Sequence, residues 1–278
     1  MNILLVFAHP ERRSLGGALR DVAVQELETQ GHTVRVSDLY VDGLKSEIDR
    51  ADFPALDRAE RLKVAAASGE AFATDALTAD VKAEQDKLLW ADVVILQFPL
   101  WWFSMPAILK GWVDRVHAYG FAYGVGEHSD TRWGDRYGEG TLAGKCAMLL
   151  VTVGGREAHY SARGVNGPID DLLFRINHGI LFYPGFDVLP PFVLYQADRL
   201  DQQGFEAAAG RLRERMRSIA TTPPIPYRKQ NGGDYLIPAM QLRPELTAPD
   251  VTGFALHLSG APHRADRWRD ENPPVRGR

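Results

Sequence analysis

The sequence predicts an α/β fold, a doubly wound parallel sheet of five strands followed by a Pro-rich C-terminal extension. Three observations carry the prediction. Apolar runs of strand length alternate with stretches whose apolar residues recur at helical spacing. The third such run, Val93-Val94-Ile95-Leu96-Gln97-Phe98, is almost uninterrupted by polar residues, as a strand covered on both faces must be. Beyond about Thr221, prolines from Pro223 to Pro274 break any long helix or central strand.

Each element has its own justification. Strand one is the run Ile3 to Ala8, which stops at His9-Pro10. After two arginines the pattern Leu15, Leu19, Val22, Leu27 predicts a helix, with Ser14 as N-cap and Gly31 as stop. Val34-Arg35-Val36 is a second strand. From Asp42 to Leu77 the chain is polar, alanine-rich and weakly periodic, which predicts a long connection with one short helix. Val81, Leu88 and Leu89 mark a helix ahead of strand three. In SMPAILKGWVDRVHAYG, Ser104 is the expected cap and Pro106 the first-turn proline of a helix with Ile108, Leu109, Trp112, Val113 and Val116 on one face. A glycine-rich loop, Gly120 to Gly144, leads to strand four, Lys145 to Val153, which ends in Gly154-Gly155. Ile169 to Leu181 reads as a helix, FDVLPPFVLY as strand five, and Phe205 to Ala220 as the last helix. Two units follow from this: a domain over 1–220, and an extension over 221–278 that packs on that domain or on a partner subunit because it cannot build a core alone. The terminal RDENPPVRGR has the composition of a disordered end.

Composition narrows the function classes. A net charge of -4 supplies no basic field, which argues against nucleic acid or an acidic membrane surface as partner. The opening apolar run is too short for a membrane span and lacks the flanks of a signal peptide, so the expected location is cytoplasmic. The single cysteine, Cys146, has no internal partner and falls in a strand-like run, where a small buried core residue is expected. No metal-ligand spacing is present in the chain.

Every unusual loop follows a strand. With right-handed crossovers, His9-Pro10, Pro99 to Phe103 and Gly154-Gly155 should converge at the carboxyl edge of the sheet. A helix N-terminus there presents free amides and the positive dipole end, so a phosphate beside Ser14, Leu15 and Gly16 would gain several hydrogen bonds, with His9, Arg12 or Arg13 as further donors. Neither G-x-G-x-x-G nor G-x-x-x-x-G-K-[ST] occurs. A serine that only caps its helix explains the same residues. Pro99 ends strand pairing, leaving the amides after it free to face a flat heteroaromatic ring while Trp102 and Phe103 wall it. Aromatics packed beneath a loop are the plainer alternative.

QFPLWWFSMPAILKGWVDRV, together with LLVFAHPERRSL, VSDLY and TVGGREAHYSARGVNG, resembles the NAD(P)H:quinone acceptor oxidoreductases, the DT-diaphorase group of flavodoxin-like flavoenzymes. The likeness runs from Asn2 to about Ala220, and GFALHLSGAP resembles the family's tail. It implies a flavodoxin-like five-stranded parallel sheet, bound FAD ahead of FMN, and a homodimer with sites at the subunit interface. By matching position, His9, Ser14, Leu15 and Gly16 would hold the flavin phosphates, and Pro99, Leu100, Trp101, Trp102 and Phe103 would contact the ring. Thr152, Val153, Gly154 and Gly155 would line its other edge, with Tyr160 near the pyrimidine. Phe103, Tyr123, Gly154, His159 and Tyr183 would form the shared nicotinamide and quinone pocket, some of them contributed by the partner subunit.

The departures matter. Six residues after Tyr160 the family's human-type members carry a histidine; this chain has Asn166, which donates a hydrogen bond but takes up no proton. Tyr160 and Asn166 are therefore the catalytic candidates as electrostatic partners of a charged flavin edge, with His159 or Arg163 as possible compensation. Trp101 stands where those members have glutamine, and Phe205 where they have an arginine near the adenine-side phosphates. A zinc-binding histidine pair of one branch is broken, with His178 present and Phe182 in the second place. The expected reaction is ping-pong: NAD(P)H as co-substrate passes a hydride to the flavin, leaves, and a quinone or other flat acceptor takes its place. The competing readings are nitro or azo reduction, a non-enzymatic flavin electron carrier or redox-sensing subunit, and a scaffold that has lost its cofactor. Arg132 and Arg136 are loop residues that either meet a 2′-phosphate or solvate the surface.

Overall fold

A computed structural model describes residues 1–248 and 251–259. In chain order the elements of the domain are β1 (Asn2–Phe7), α1 (Leu15–Thr29), β2 (Thr33–Asp38), α2 (Val64–Ala73), α3 (Ala79–Trp90), β3 (Val93–Pro99), α4 (Ala107–Val116), β4 (Cys146–Thr152), α5 (Ile169–Ile176), β5 (Asp187–Val188), β6 (Phe192–Leu194) and α6 (Gln202–Arg217). The sheet is parallel in the order β2-β1-β3-β4-β5, and β6 also pairs with β4. FDVLPPFVLY thus supplies one strand position in two pieces: β5 pairs with Cys146 and Ala147, and β6 with Leu150 to Thr152. Pro190 and Pro191, which have no amide hydrogen for a ladder, lie at the break.

The strands bury both faces. Leu4, Val6, Val94, Leu96, Leu149 and Val151 belong to one core with α4 and α5, while Ile3, Leu5, Phe7, Val93, Ile95, Met148 and Leu150 belong to another with α1 and α6. Alternate residues of one strand serve opposite layers because successive side chains leave the pleat on opposite sides. Each fully buried Leu or Val in these layers contributes roughly 1.5–3 kcal/mol.

Helix boundaries follow local chemistry with one exception. The Ser14 hydroxyl accepts from the Gly17 amide at 3.1 Å, and Gly31 takes φ +79 after the last turn of α1. Ser104 does not cap α4. It is held in a backbone hairpin with Trp101, and Pro106 occupies the N-cap position instead. The helix expected through Leu181 is α-helical only to Ile176 and continues as a π-helical turn over Asn177–Phe182.

The connection over 42–77 contains α2 and a 3-10 turn at Arg50–Asp52. Arg115 of α4, only 5% exposed, anchors it: its Nε donates to Asp52 at 2.7 Å and its Nη2 pairs with Asp80 at 2.7 Å. Burial by itself would raise the Asp52 pKa, but the Asp49 amide, Lys45 and Arg115 outweigh it and hold the carboxyl below its ordinary value. Gly111 is required at the crossing, since a Cβ there would stand 1.8 Å from the Ser46 carbonyl oxygen.

The extension lies against the domain. The Ile225 amide donates to the Val188 carbonyl at 2.7 Å, Ile225 and Tyr227 pack on the first core, and Phe254 stacks on Phe174 with ring centres 4.3 Å apart. It carries its own hairpin, β7 (Tyr235–Leu236) and β8 (Gln241–Leu242). RDENPPVRGR lies outside the described residues, and GFALHLSGAP is described through Ser259.

Candidate active site at the carboxyl edge of the sheet

In the order β2-β1-β3-β4-β5, β1 leads outward to β2 on one side and β3 to β4 on the other, which opens a crevice beyond the carboxyl ends of β1 and β3. Three loops meet there. Phe7, His9, Gly16, Gln97, Pro99 and Thr152 line one recess between them.

The first loop is rigid. His9 Nδ1 takes the Glu11 amide at 3.0 Å, Glu11 Oε1 accepts from the Arg13 amide at 2.8 Å, and the Glu11 carbonyl accepts from the Ser14 amide at 3.2 Å. Those bonds to Arg13 lower the Glu11 pKa. The chain then doubles back so tightly that a Cβ on Gly17 would stand 1.9 Å from the Arg12 carbonyl oxygen. Ser14 spends its side chain on the cap, which leaves the first helical amides, those of Leu15 and Gly16, without an intrahelical acceptor. A Cβ on Gly16 would meet Ser14, Phe7 and His9 only at ordinary contact distance, 3.6 to 3.9 Å. Arg13 pairs with Glu11 at 3.3 Å and is solvent-exposed.

The second loop carries the aromatics. The Trp101 and Ser104 amides and carbonyls exchange hydrogen bonds at 3.0 Å, enclosing Trp102 at φ 49 and Phe103 at φ 61. Two consecutive positive φ values make this a type I′ turn, ordinarily built from Asn and Gly; here it is built from two aromatic residues, at a cost of about 1–3 kcal/mol each. Trp102 is 95% exposed. Trp101 and Phe103 on either side of it are less exposed, so Trp102 is the ring this strained turn presents most fully to solvent. Leu100 continues the sheet by one bond, its amide donating to the Thr152 carbonyl at 2.8 Å.

At the third loop the Val153 amide donates to the Leu194 carbonyl at 2.8 Å, and the Gly155 carbonyl accepts from Gln196 at 3.0 Å. Tyr160 packs against Gly155, where an added Cβ would meet its ring at 2.9 Å, and its ring centre lies 5.8 Å from that of Tyr195. Burial first, then Glu157, Asp170 and Tyr160, push the Tyr195 hydroxyl up to about 12. Asn166 is joined to this turn by its backbone, whose amide donates to the His159 carbonyl at 3.0 Å; no hydrogen bond links the Asn166 side chain to Tyr160 among the described residues. His159 and Arg163 are exposed.

Tyr123 and Tyr183 lie elsewhere in the chain. They share a cavity of about 350 Å³ with Val113, His117 and Ile180, and no residue of the three strand-end loops lines it. Burial lowers the His117 pKa to about 4, against a raising effect of Asp114. Of the two loop arginines, Arg132 pairs with Asp135 and Glu139, and Arg136 binds Gln230 and the Tyr183 hydroxyl, so both knit the protein together rather than solvating its surface. His178 is stacked between Tyr137 and Phe174. Phe182 packs in the first core, and Phe205 packs against the second core. No group of three or more His, Cys, Asp or Glu among the described residues is placed to hold a metal ion, and no described helix is long and apolar enough to cross a membrane.

One site residue escaped the sequence reading. Gln97, 1% exposed, donates from Nε2 to the Gly16 carbonyl at 2.6 Å, and its Oε1 is buried without a partner. The signal was available: it is the one polar residue in VVILQF. The orphaned acceptor calls for an N–H such as a flavin ring carries, and the Leu15 and Gly16 amides at the start of α1 call for a phosphate.

Comparison with known proteins bears on this arrangement. A family described as having the flavodoxin-like fold matches residues 1–216. The Penicillium crustosum "Ribosyldihydronicotinamide dehydrogenase-like protein traD" is 61% identical over 92% of this chain and 95% of its own. The human "Ribosyldihydronicotinamide dehydrogenase [quinone]" is 39% identical over 81% of this chain and 94% of its own. A solved structure from Klebsiella pneumoniae, described as a candidate quinone reductase, is 58% identical with a TM-score of 0.91, covering 93% of this chain and all of the other. The chain belongs to the flavodoxin-like family, in the group of the quinone dehydrogenases.

Proposed function

We propose that the protein is an FAD-dependent NAD(P)H:quinone oxidoreductase that works as a cytoplasmic homodimer by ping-pong hydride transfer. The carrying observation is the recess in which the carboxyl ends of β1, β3 and β4 meet the start of α1, with Gln97, whose Oε1 is unpaired, in its lining. When bound, the flavin would supply the hydride acceptance and donation that amino-acid side chains lack. The chain's own work is positioning. The amides of Leu15 and Gly16 bind phosphate at the positive end of α1, with Ser14 fixing the turn and His9 beside them. Leu100, Trp101 and the strained Trp102-Phe103 turn set an apolar wall for a flat ring, and Thr152, Val153, Gly154 and Gly155 bound the opposite side. Tyr160, with Asn166 on the same turn, presents a neutral polar edge that stabilises negative charge without taking a proton.

The Tyr123–Tyr183 cavity and the Phe103–Gly154–His159 rim are separate surfaces of one chain, which is the arrangement a shared pocket between two subunits requires. FAD is favoured over FMN by the resemblance of the strand-end motifs, although Phe205 occupies the place of the family's phosphate-side arginine. Two relatives are named for ribosyldihydronicotinamide, so the shorter reductant belongs beside NADH and NADPH in the assay. The test is a visible spectrum of the purified protein, identification of the released flavin, and steady-state turnover of menadione. Parallel double-reciprocal lines are expected; colourless protein that takes up neither flavin overturns the proposal.

A further inference from the structure

The C-terminal extension is tied to one wall of the Tyr123–Tyr183 cavity through a short series of side chains. Gln230, 4% exposed, accepts at Oε1 from Arg136 Nε at 2.7 Å and donates from Nε2 to the Trp133 carbonyl at 2.7 Å. Its own amide donates to the Tyr137 carbonyl at 3.3 Å. Arg136 Nη1 then donates to the Tyr183 hydroxyl at 3.3 Å, with the guanidinium carbon 5.9 Å from that ring's centre. Tyr137 closes on the same ring edge-on at 4.8 Å, and its amide donates to the Tyr183 carbonyl at 2.9 Å.

A guanidinium is a rigid planar fork, so an Nε–H committed to a buried amide oxygen also sets where Nη1 points. Here it points at the one polar atom of Tyr183. A tyrosine ring released from its hydroxyl contact can change its χ angles and carry the ring edge out of the cavity wall. Gln230 does not line that cavity, so any effect it has there passes through Arg136 and Tyr183.

We propose that Gln230 is a positioning residue: through Arg136 it holds the Tyr183 ring, and so the extension sets how well a flat acceptor fits. This rests on reading the Tyr123–Tyr183 cavity as half of the acceptor pocket. The experiment uses the full-length, flavin-loaded protein with menadione, and compares Gln230→Ala, Gln230→Glu and Tyr183→Phe, singly and as the Gln230→Ala/Tyr183→Phe pair. One lost hydrogen bond corresponds to about a five-fold change, so Gln230→Ala should raise the menadione KM about five-fold and leave kcat within about two-fold. Gln230→Glu keeps an acceptor for Arg136 Nε but loses the donor to the Trp133 carbonyl, so it should recover part of the change and bring KM to within about three-fold of wild type. In the Tyr183→Phe background, Gln230→Ala should add nothing further. Should Gln230→Ala fail to fold, Arg136→Leu carries the same expectation.

A second readout needs no turnover: 3-fluorotyrosine at position 183 should give one sharp ¹⁹F line in the wild type and a shifted or broadened line in Gln230→Ala. An unchanged KM, additive KM effects, or an unchanged ¹⁹F line overturns the proposal. If the wild type reduces no quinone, the functional reading falls and the ¹⁹F comparison alone decides whether the extension holds Tyr183.

Discussion

Trp102 shows how one residue separates stability from use. It is held at φ 49 by the Trp101–Ser104 backbone bonds with its ring in solvent, so no contact of its own side chain offsets the left-handed backbone. Replacing it by glycine should relieve about 1 kcal/mol and raise the melting temperature by roughly 2–4 °C, measured by thermal unfolding. Menadione turnover should fall about ten-fold through loss of the stacking wall. Gly17 is the opposite case. Gly17→Ala forces a Cβ against the Arg12 carbonyl and should destabilise the protein by about 1–3 kcal/mol, with flavin content after purification falling in parallel. Ser14 and the aromatic loop were legible from residue type alone, because caps and proline stops are local rules. The positive φ values of Trp102 and Phe103 were not legible, since neither residue announces a turn that glycine and asparagine normally occupy.

At the scale of elements, α4 couples three parts of the molecule: the 42–77 connection through Arg115, the Tyr123–Tyr183 cavity through His117, and α3 through Trp112, whose indole donates to Glu84 at 2.8 Å. Arg115→Ala removes the donor to Asp52 Oδ1 and leaves that buried carboxylate to Lys45 and the Asp49 amide, which should cost about 1–3 kcal/mol in urea unfolding. His117 gives α4 a pH signature. Its folded pKa of about 4 lies below the ordinary value of 6.5, so between those values the unfolded chain binds a proton that the native protein refuses. Stability should therefore be full above about pH 6.5 and fall by up to about 2 kcal/mol by pH 5, and His117→Gln should flatten that slope. Helical periodicity foretold α4 and its buried face. The salt bridges that lock it were invisible to periodicity, because Asp52 and Arg115 lie 63 positions apart in sequence.

At the scale of the whole molecule, the sheet order places three loops on one edge and leaves Trp101, Trp102, Phe103 and Val165 exposed. A dimer that covers this apolar rim should sediment as two 30.9 kDa chains, and Val165→Asp, 89% exposed here and so harmless to the single chain, should shift it toward monomer in equilibrium sedimentation. The extension is the part least readable in advance. Its prolines declared that it could not fold alone, but not that Gln230 would reach Arg136 or that Phe254 would stack on Phe174. The amino-acid sequence by itself determined the alternation of strands and helices, the cap and the stops, and the aromatic loop, because each depends on neighbours a few residues away. Only the tertiary structure decided that Gln97 binds the Gly16 carbonyl and leaves its own Oε1 without a partner, that Asn166 joins the Tyr160 turn by its backbone amide, and that Tyr123 and Tyr183 line a cavity no strand-end loop reaches. Those relations join residues tens of positions apart, and their distances are set by sheet register and helix packing rather than by any local preference.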